Sequence, residues 1–111
     1  MPPEVLKLLR DMQDAASDIA AFAAGKSFEA FQQDKQLRRA IERSFEIVGE
    51  ALTQLRKIDP VTAQRITDWQ AIIGFRNVLI HGYGQVDDAK TWDIVQSEVP
   101  ILLAELDALL K

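Results

Sequence analysis

Cysteine is absent from the chain, which excludes disulfides and thiolate metal sites and fits a reducing, cytoplasmic setting. No apolar run approaches the ~20 residues that a membrane span needs, and the N-terminus lacks the basic-then-apolar layout of a signal peptide. A basic excess is missing as well: the formal net charge is −4, which argues against a general nucleic-acid coat protein. Strand-like alternation of apolar and polar residues is nearly absent. Histidine and tyrosine occur once each, as His81 and Tyr83. Any chemistry that needs an imidazole or a phenol therefore has one place to happen.

What remains is a globular composition, 48% hydrophobic and 27% charged over 111 residues. That is enough for one core and a single domain spanning residues 1–111. Apolar residues recur at helical spacing throughout, so the fold class is all-α, a bundle of four to five helices. The first helix runs from Pro2 or Pro3 to about Ala24, with Val5, Leu6, Leu9, Met12, Ile19 and Phe22 turned inward, and Gly25 stops it. Ser27 is placed to cap a short helix bearing Phe28 and Phe31. The segment from Lys35 to Arg56 carries Leu37, Ile41, Phe45, Val48, Leu52 and Leu55 over more than one face, which predicts burial on two sides, as in a bundle whose helix also meets a partner. Gly49 inside it is expected to mark a close helix–helix approach. Asp59-Pro60 breaks the chain before a short helix over Val61 to Ile66. Thr67 or Asp68 is expected to cap the next helix, which carries Trp69, Ile72, Ile73, Phe75, Val78, Leu79 and Ile80 to the motif, with Gly74 admitting a neighbour. Asp87 or Asp88 caps the following turns around Trp92, Ile94 and Val95. Pro100 starts or bends a terminal helix of Ile101, Leu102, Leu103, Leu106, Leu109 and Leu110.

The helix after Asp68 ends in Arg76-Asn77-Val78-Leu79-Ile80-His81-Gly82-Tyr83. Arginine grips a phosphate through two parallel hydrogen bonds, and histidine moves protons near neutral pH. The pair suits phosphate-ester chemistry. Five residues along a helix is a rotation of about 500°, so Arg76 and His81 point roughly 140° apart with about 7.5 Å of rise between them. One substrate atom can meet both if Gly82 ends the helix as a left-handed cap and lets His81 and Tyr83 turn back, or if a second copy completes the site across a twofold axis. Both are expected.

This segment resembles the RX4HXY motif of HepT-type toxins in the HEPN (higher eukaryotes and prokaryotes nucleotide-binding) superfamily. The likeness extends over LLRDMQDAASDI at residues 8–19, LRRAIERSFEIVGEAL at 37–52, DWQAIIGFRNVLIHGY at 68–83 and VDDAKTWDIVQSEVPILLAEL at 86–106. The resemblance implies an all-α HEPN domain acting as a homodimer, with Arg76 and His81 as the catalytic pair of an endoribonuclease and Asn77 as the supporting polar residue. His81 would move a proton to or from the RNA while Arg76 stabilises the pentacoordinate phosphate, with no metal and no cofactor. The substrate would be tRNA or mRNA. The resemblance further implies a type VII toxin–antitoxin pair, in which a minimal nucleotidyltransferase antitoxin of the MntA kind transfers AMP to Tyr83. The added negative charge would then silence the cleft. The stretch Gly84-Gln85-Val86-Asp87 departs from the family, where an aromatic commonly follows the tyrosine.

Each residue also has a plainer reading. His81 alone is a histidine at a helix C-terminus. Arg76 can pair with Glu46 or Glu50, and Asn77 can simply be exposed. Tyr83 can cap the core as a loop aromatic. Lys35, Arg38, Arg39 and Arg43 form the densest basic segment and are RNA-binding candidates. They equally fit a solvated helix face paired with Glu42 and Glu46. The rival to a nuclease is a non-catalytic helical module that docks a nucleotidyltransferase or binds nucleotide.

Overall fold

Short polar side chains set most of the chain's breaks. In the computed structural model, which describes residues 1–111, helix α1 (Pro3–Ala23) begins with proline in its first turn. It ends before Gly25, whose φ of 72° lies in the left-handed region that glycine enters without strain. Ser27 Oγ then accepts the Ala30 N–H at 3.1 Å to open α2 (Phe28–Gln33). Asp34 accepts the Leu37 N–H at 3.0 Å to open α3 (Lys35–Ile58). Asp59 caps α4 (Pro60–Ala63), accepting the Thr62 N–H at 3.1 Å and the Thr62 hydroxyl at 2.6 Å. This helix is shorter than the six residues from Val61 to Ile66 expected of it, and turns follow it. Helix α5 (Trp69–His81) carries the motif. Asp87 accepts the Ala89 and Lys90 N–H groups at 2.9 and 3.3 Å to open α6 (Asp88–Ser97), and α7 (Val99–Leu110) has Pro100 in its first turn.

The start of α5 differs from expectation. Neither Thr67 nor Asp68 caps it. The Thr67 N–H and hydroxyl are taken by the Glu105 carboxylate of α7, at 2.9 and 2.7 Å. Asp68 sits at the helix entry with φ of 57° and caps nothing. A carboxylate far along the chain thus ties the α5 entrance to the C-terminal helix.

The all-α expectation holds: five helices of ten or more residues and two short ones, with no strand. Helix α3 is the centre. α1 packs along one side of it and α5 along another, while α7 closes the bundle against α1. Leu9, Met12, Ile19, Ile41, Leu52 and Leu106 are fully buried between these helices. The wide apolar face of α3 is therefore satisfied within the chain by two neighbours. Phe31 of α2 stacks against Trp92 of α6 with ring centroids 5.0 Å apart, which fixes the small helix to the bundle. Phe22, read as inward, is exposed, and so is Ile101.

Helix α5 is only thinly enclosed. Of its apolar residues only Leu79 is buried; Trp69, Ile72, Ile73, Phe75 and Val78 are half-buried and Ile80 is exposed. Gly74 admits no neighbour, since a Cβ there would meet nothing within 4 Å. No helix is long and apolar enough to cross a membrane.

Candidate functional site

At Gly49, α3 and α5 lie close together. A Cβ there would lie 2.7 Å from Arg76 Cγ and nearer still to Arg76 Cβ. The missing side chain is what lets the aliphatic stem of Arg76 lie on α3, in line with the close approach read at that glycine. Phe45, one turn earlier on the same face of α3, meets Phe75 edge-on at 5.2 Å. Arg76 is therefore held by its stem, half-buried, with its charged end directed by what surrounds it.

The guanidinium is not neutralised. Arg76 Nη1 donates to Asn77 Oδ1 at 3.0 Å, and the buried Nε has no partner. Neither Glu46 nor Glu50 forms the ion pair considered for it: Glu46 accepts from Arg43 at 3.3 Å, and Glu50 lies in a groove facing α1. Asn77 is exposed, yet it reaches back to the arginine.

His81 is the last residue of α5, exposed, and its imidazole makes no hydrogen bond inside the chain. Gly82 does not adopt the left-handed conformation expected of it. Its φ is −122°, and its N–H continues the helix ladder to Val78 O at 2.9 Å. The chain turns back through a 3₁₀ turn over Tyr83–Gln85, closed by Gln85 N–H to Gly82 O at 2.8 Å and Val86 N–H to Tyr83 O at 3.1 Å. A left-handed residue is not needed for the chain to turn back, since the 3₁₀ turn begins directly after Gly82. Arg76 and His81 thus share one continuous helix and keep the roughly 140° divergence of that spacing.

Tyr83 is 42% exposed, and its tip is anchored on α3 rather than on the core. Its hydroxyl donates to Glu42 Oε1 at 2.8 Å. Arg39 Nη1 donates to the same oxygen at 3.0 Å and also contacts the Tyr83 hydroxyl, with its guanidinium carbon 4.9 Å from the ring centroid. Glu42 is 3% exposed and is the residue that the sequence reading missed as part of the site. A signal existed: Glu42, Phe45 and Gly49 lie three and seven residues apart and share the face of α3 that meets α5 and its following turn.

Of the RNA-binding candidates, Arg39 belongs to this cluster, Arg43 pairs with Glu46, and Arg38 bonds the Gln32 carbonyl and lies 4.0 Å from Asp88. Lys35 is exposed with no ion pair. Arg39 brings this basic start of α3 beside the motif turn.

Burial pushes the Glu42 carboxyl above its ordinary value of 4.5; Arg39 opposes the shift, Asp88 adds to it, Arg38 opposes it and Glu46 adds to it. A folded-state pKa above the unfolded one means that the protonated form contributes stability below the unfolded value, and that this contribution is lost as pH rises through the folded value. Glu42→Gln lacks that ionisation. The melting temperature of the variant relative to the natural chain is therefore expected to rise from pH 4 to pH 7, a difference that thermal unfolding at the two pH values measures directly.

The family model described as "Ribonuclease HepT-like" matches residues 12–109. A "Putative RNase" of Methanocaldococcus jannaschii is 31% identical over 106 residues, covering 94% of each chain. A "Probable ribonuclease HepT" of Thermococcus cleftensis is 31% identical over 106 residues, covering 93% of each. A "Putative RNase" of Caldanaerobacter subterraneus is 37% identical over 87 residues, covering 78% of this chain and 77% of its own. No solved structure matches the chain.

Proposed function

This chain belongs to the HepT-like ribonuclease family, and on that premise we propose that it is a metal-independent endoribonuclease acting as the toxin of a type VII toxin–antitoxin pair. The observation that carries the reading is the arginine: Arg76 is held by its stem on Gly49, its guanidinium is paired with no carboxylate, and the exposed His81 closes the same helix. A cation kept free of internal anions is available to a phosphodiester. His81 takes the 2′-hydroxyl proton or protonates the leaving 5′-oxygen, Arg76 stabilises the charge of the pentacoordinate phosphorus, and Asn77 orients the guanidinium. Attack by the 2′-oxygen leaves a 2′,3′-cyclic phosphate on one fragment and a 5′-hydroxyl on the other. Lys35 and the basic residues beside it, Arg38, Arg39 and Arg43, track the RNA backbone toward the motif.

A homodimer completes the site. Within one chain Arg76 and His81 diverge, and α5 leaves apolar surface open: exposed Ile80, half-buried Ile72 and Ile73, and a groove of about 180 Å³ lined by Phe45, Val48, Ala71, Ile72, Phe75 and Leu102. A second copy on that face buries this surface and sets its own motif across a shared cleft from the first.

Silencing falls to Tyr83, an exposed residue two positions from His81. A minimal nucleotidyltransferase antitoxin transfers AMP to it, and the added phosphates repel RNA from the cleft. Expression of the chain alone is expected to arrest growth and fragment tRNA or mRNA, and co-expression of such a transferase to relieve both. Tyr83→Phe is expected to remain toxic in the presence of the transferase. Harmless expression of the chain alone would contradict the nuclease reading and favour a docking module, to which the net charge of −4 and the in-chain pairing of Arg38, Arg39 and Arg43 also lend themselves.

A further inference from the structure

The Tyr83 hydroxyl meets a carboxylate and a guanidinium at once, and that is an unusual position for a residue on an exposed turn. Glu42 Oε1 accepts the phenolic proton at 2.8 Å, the same oxygen accepts from Arg39 at 3.0 Å, and Arg39 also touches the phenolic oxygen. Glu42 is buried while Tyr83 lies on an exposed turn, so the acceptor of the proton is shielded and the residue that would react is open to a partner. The geometry points to a built nucleophile: Glu42 is the proton acceptor and Arg39 the cationic clamp that activate Tyr83 toward the α-phosphorus of a nucleoside triphosphate.

The inference rests on the reading of Tyr83 as the acceptor of a nucleotidyl group, and adds that the acceptor chain supplies the base. As the Tyr83 oxygen bonds to the α-phosphorus, the bond from that phosphorus to the pyrophosphate oxygen breaks, pyrophosphate leaves with the electron pair, and the phenolic proton passes to Glu42. Arg39 faces the charge that gathers on the two oxygens. The charged groups around Glu42 are Arg38, Arg39 and Glu46 on its own helix and Asp88 on α6. Burial, which raises the carboxyl, makes it a stronger base than an exposed glutamate.

The test uses the full chain and adenosine 5′-phosphorimidazolide, an AMP donor whose imidazole leaves without a transferase. Tyr83 is the only tyrosine, so AMP found on tyrosine by peptide mass reports this site alone. The natural chain is expected to take up AMP about 10²-fold faster than Glu42→Gln near neutral pH. Its rate is expected to rise with the ionisation of one carboxylate and then level, whereas the glutamine variant climbs only toward ionisation of the phenol itself. Arg39→Gln is expected to slow the reaction about tenfold or more with the carboxylate limb retained. Equal rates in the natural chain and Glu42→Gln would overturn the assignment. So would a variant that is slower by one factor at every pH, since that marks Glu42 as a mere holder of the ring. The assay contains no transferase, so it can fail while Tyr83 is still the acceptor in cells. Conversely, an unmodified Tyr83 in chain recovered from cells that co-express the transferase would overturn the modification reading, and with it the reaction assigned to Glu42.

Discussion

His81→Ala is expected to lower RNA cleavage by about 10²–10⁴-fold, the range that general acid–base catalysis supplies. The loss should appear in single-turnover cleavage of labelled RNA with little change in RNA affinity, because the imidazole moves a proton in the transition state and does not grip the backbone. The fold should be untouched. His81 is exposed and its imidazole is bonded to nothing in the chain, and surface changes of that kind stay within about 0.5 kcal/mol. Arg76→Lys makes the companion variant, since it keeps the charge and the stem that lies on Gly49 but loses the paired hydrogen bonds to a phosphate. Cleavage at the natural rate in His81→Ala would remove the imidazole from the mechanism.

Gly49→Ala carries the second large effect, and its sign is decided by a competition. Alanine is favoured over glycine in a helix interior by up to ~1 kcal/mol. Against this, the new methyl group would overlap Arg76 Cβ and Cγ, atoms next to the α5 backbone that cannot swing aside as a side-chain tip does. Overpacking of this kind costs about 1–3 kcal/mol, so the variant is expected to lose stability and to melt several degrees lower. Gly74→Ala is the internal control, because its Cβ meets nothing within 4 Å and only the helix preference remains. The same substitution is thus expected to stabilise at one position of the bundle and destabilise at another. Gly49→Ala should also lose cleavage beyond its loss of folded protein, since α5 moves with Arg76 on it. Denaturant titration and activity per folded molecule separate the two effects. A Gly49→Ala chain as stable and as active as the natural one would mean that Arg76 is not positioned by α3.

What could be read from the sequence was local. Ser27 and Asp87 cap helices through bonds to N–H groups two or three residues on, and Gly25 takes a positive φ directly after a helix; such signals lie within one turn of chain. Gly49 was legible as a close approach, though not as the seat of Arg76. What could not be read depends on residues far apart. Thr67 bonds Glu105 across 38 positions, so it was free to look like a cap and is not one. Glu42 meets Tyr83 across 41 positions, and a glutamate beside arginines on a helix reads as an ordinary surface pair until the turn of Tyr83 covers it. The conformation of Gly82 was misjudged for a related reason: a helix can end in a 3₁₀ turn as well as in a left-handed cap, and the residues that decide between them lie downstream. The apolar pattern of α5 does not tell how far the helix is enclosed, and only Leu79 is buried, because hydrophobicity along a helix does not record what packs against each face.

The central claim is that this chain cuts RNA with its own side chains. Its most direct test is incubation of the purified chain with RNA in excess chelator, with the ends of the fragments identified. Cleavage that persists and leaves 2′,3′-cyclic phosphate and 5′-hydroxyl ends is the predicted result. Intact RNA, or cleavage that returns only with a divalent cation and leaves 5′-phosphate ends, would contradict it.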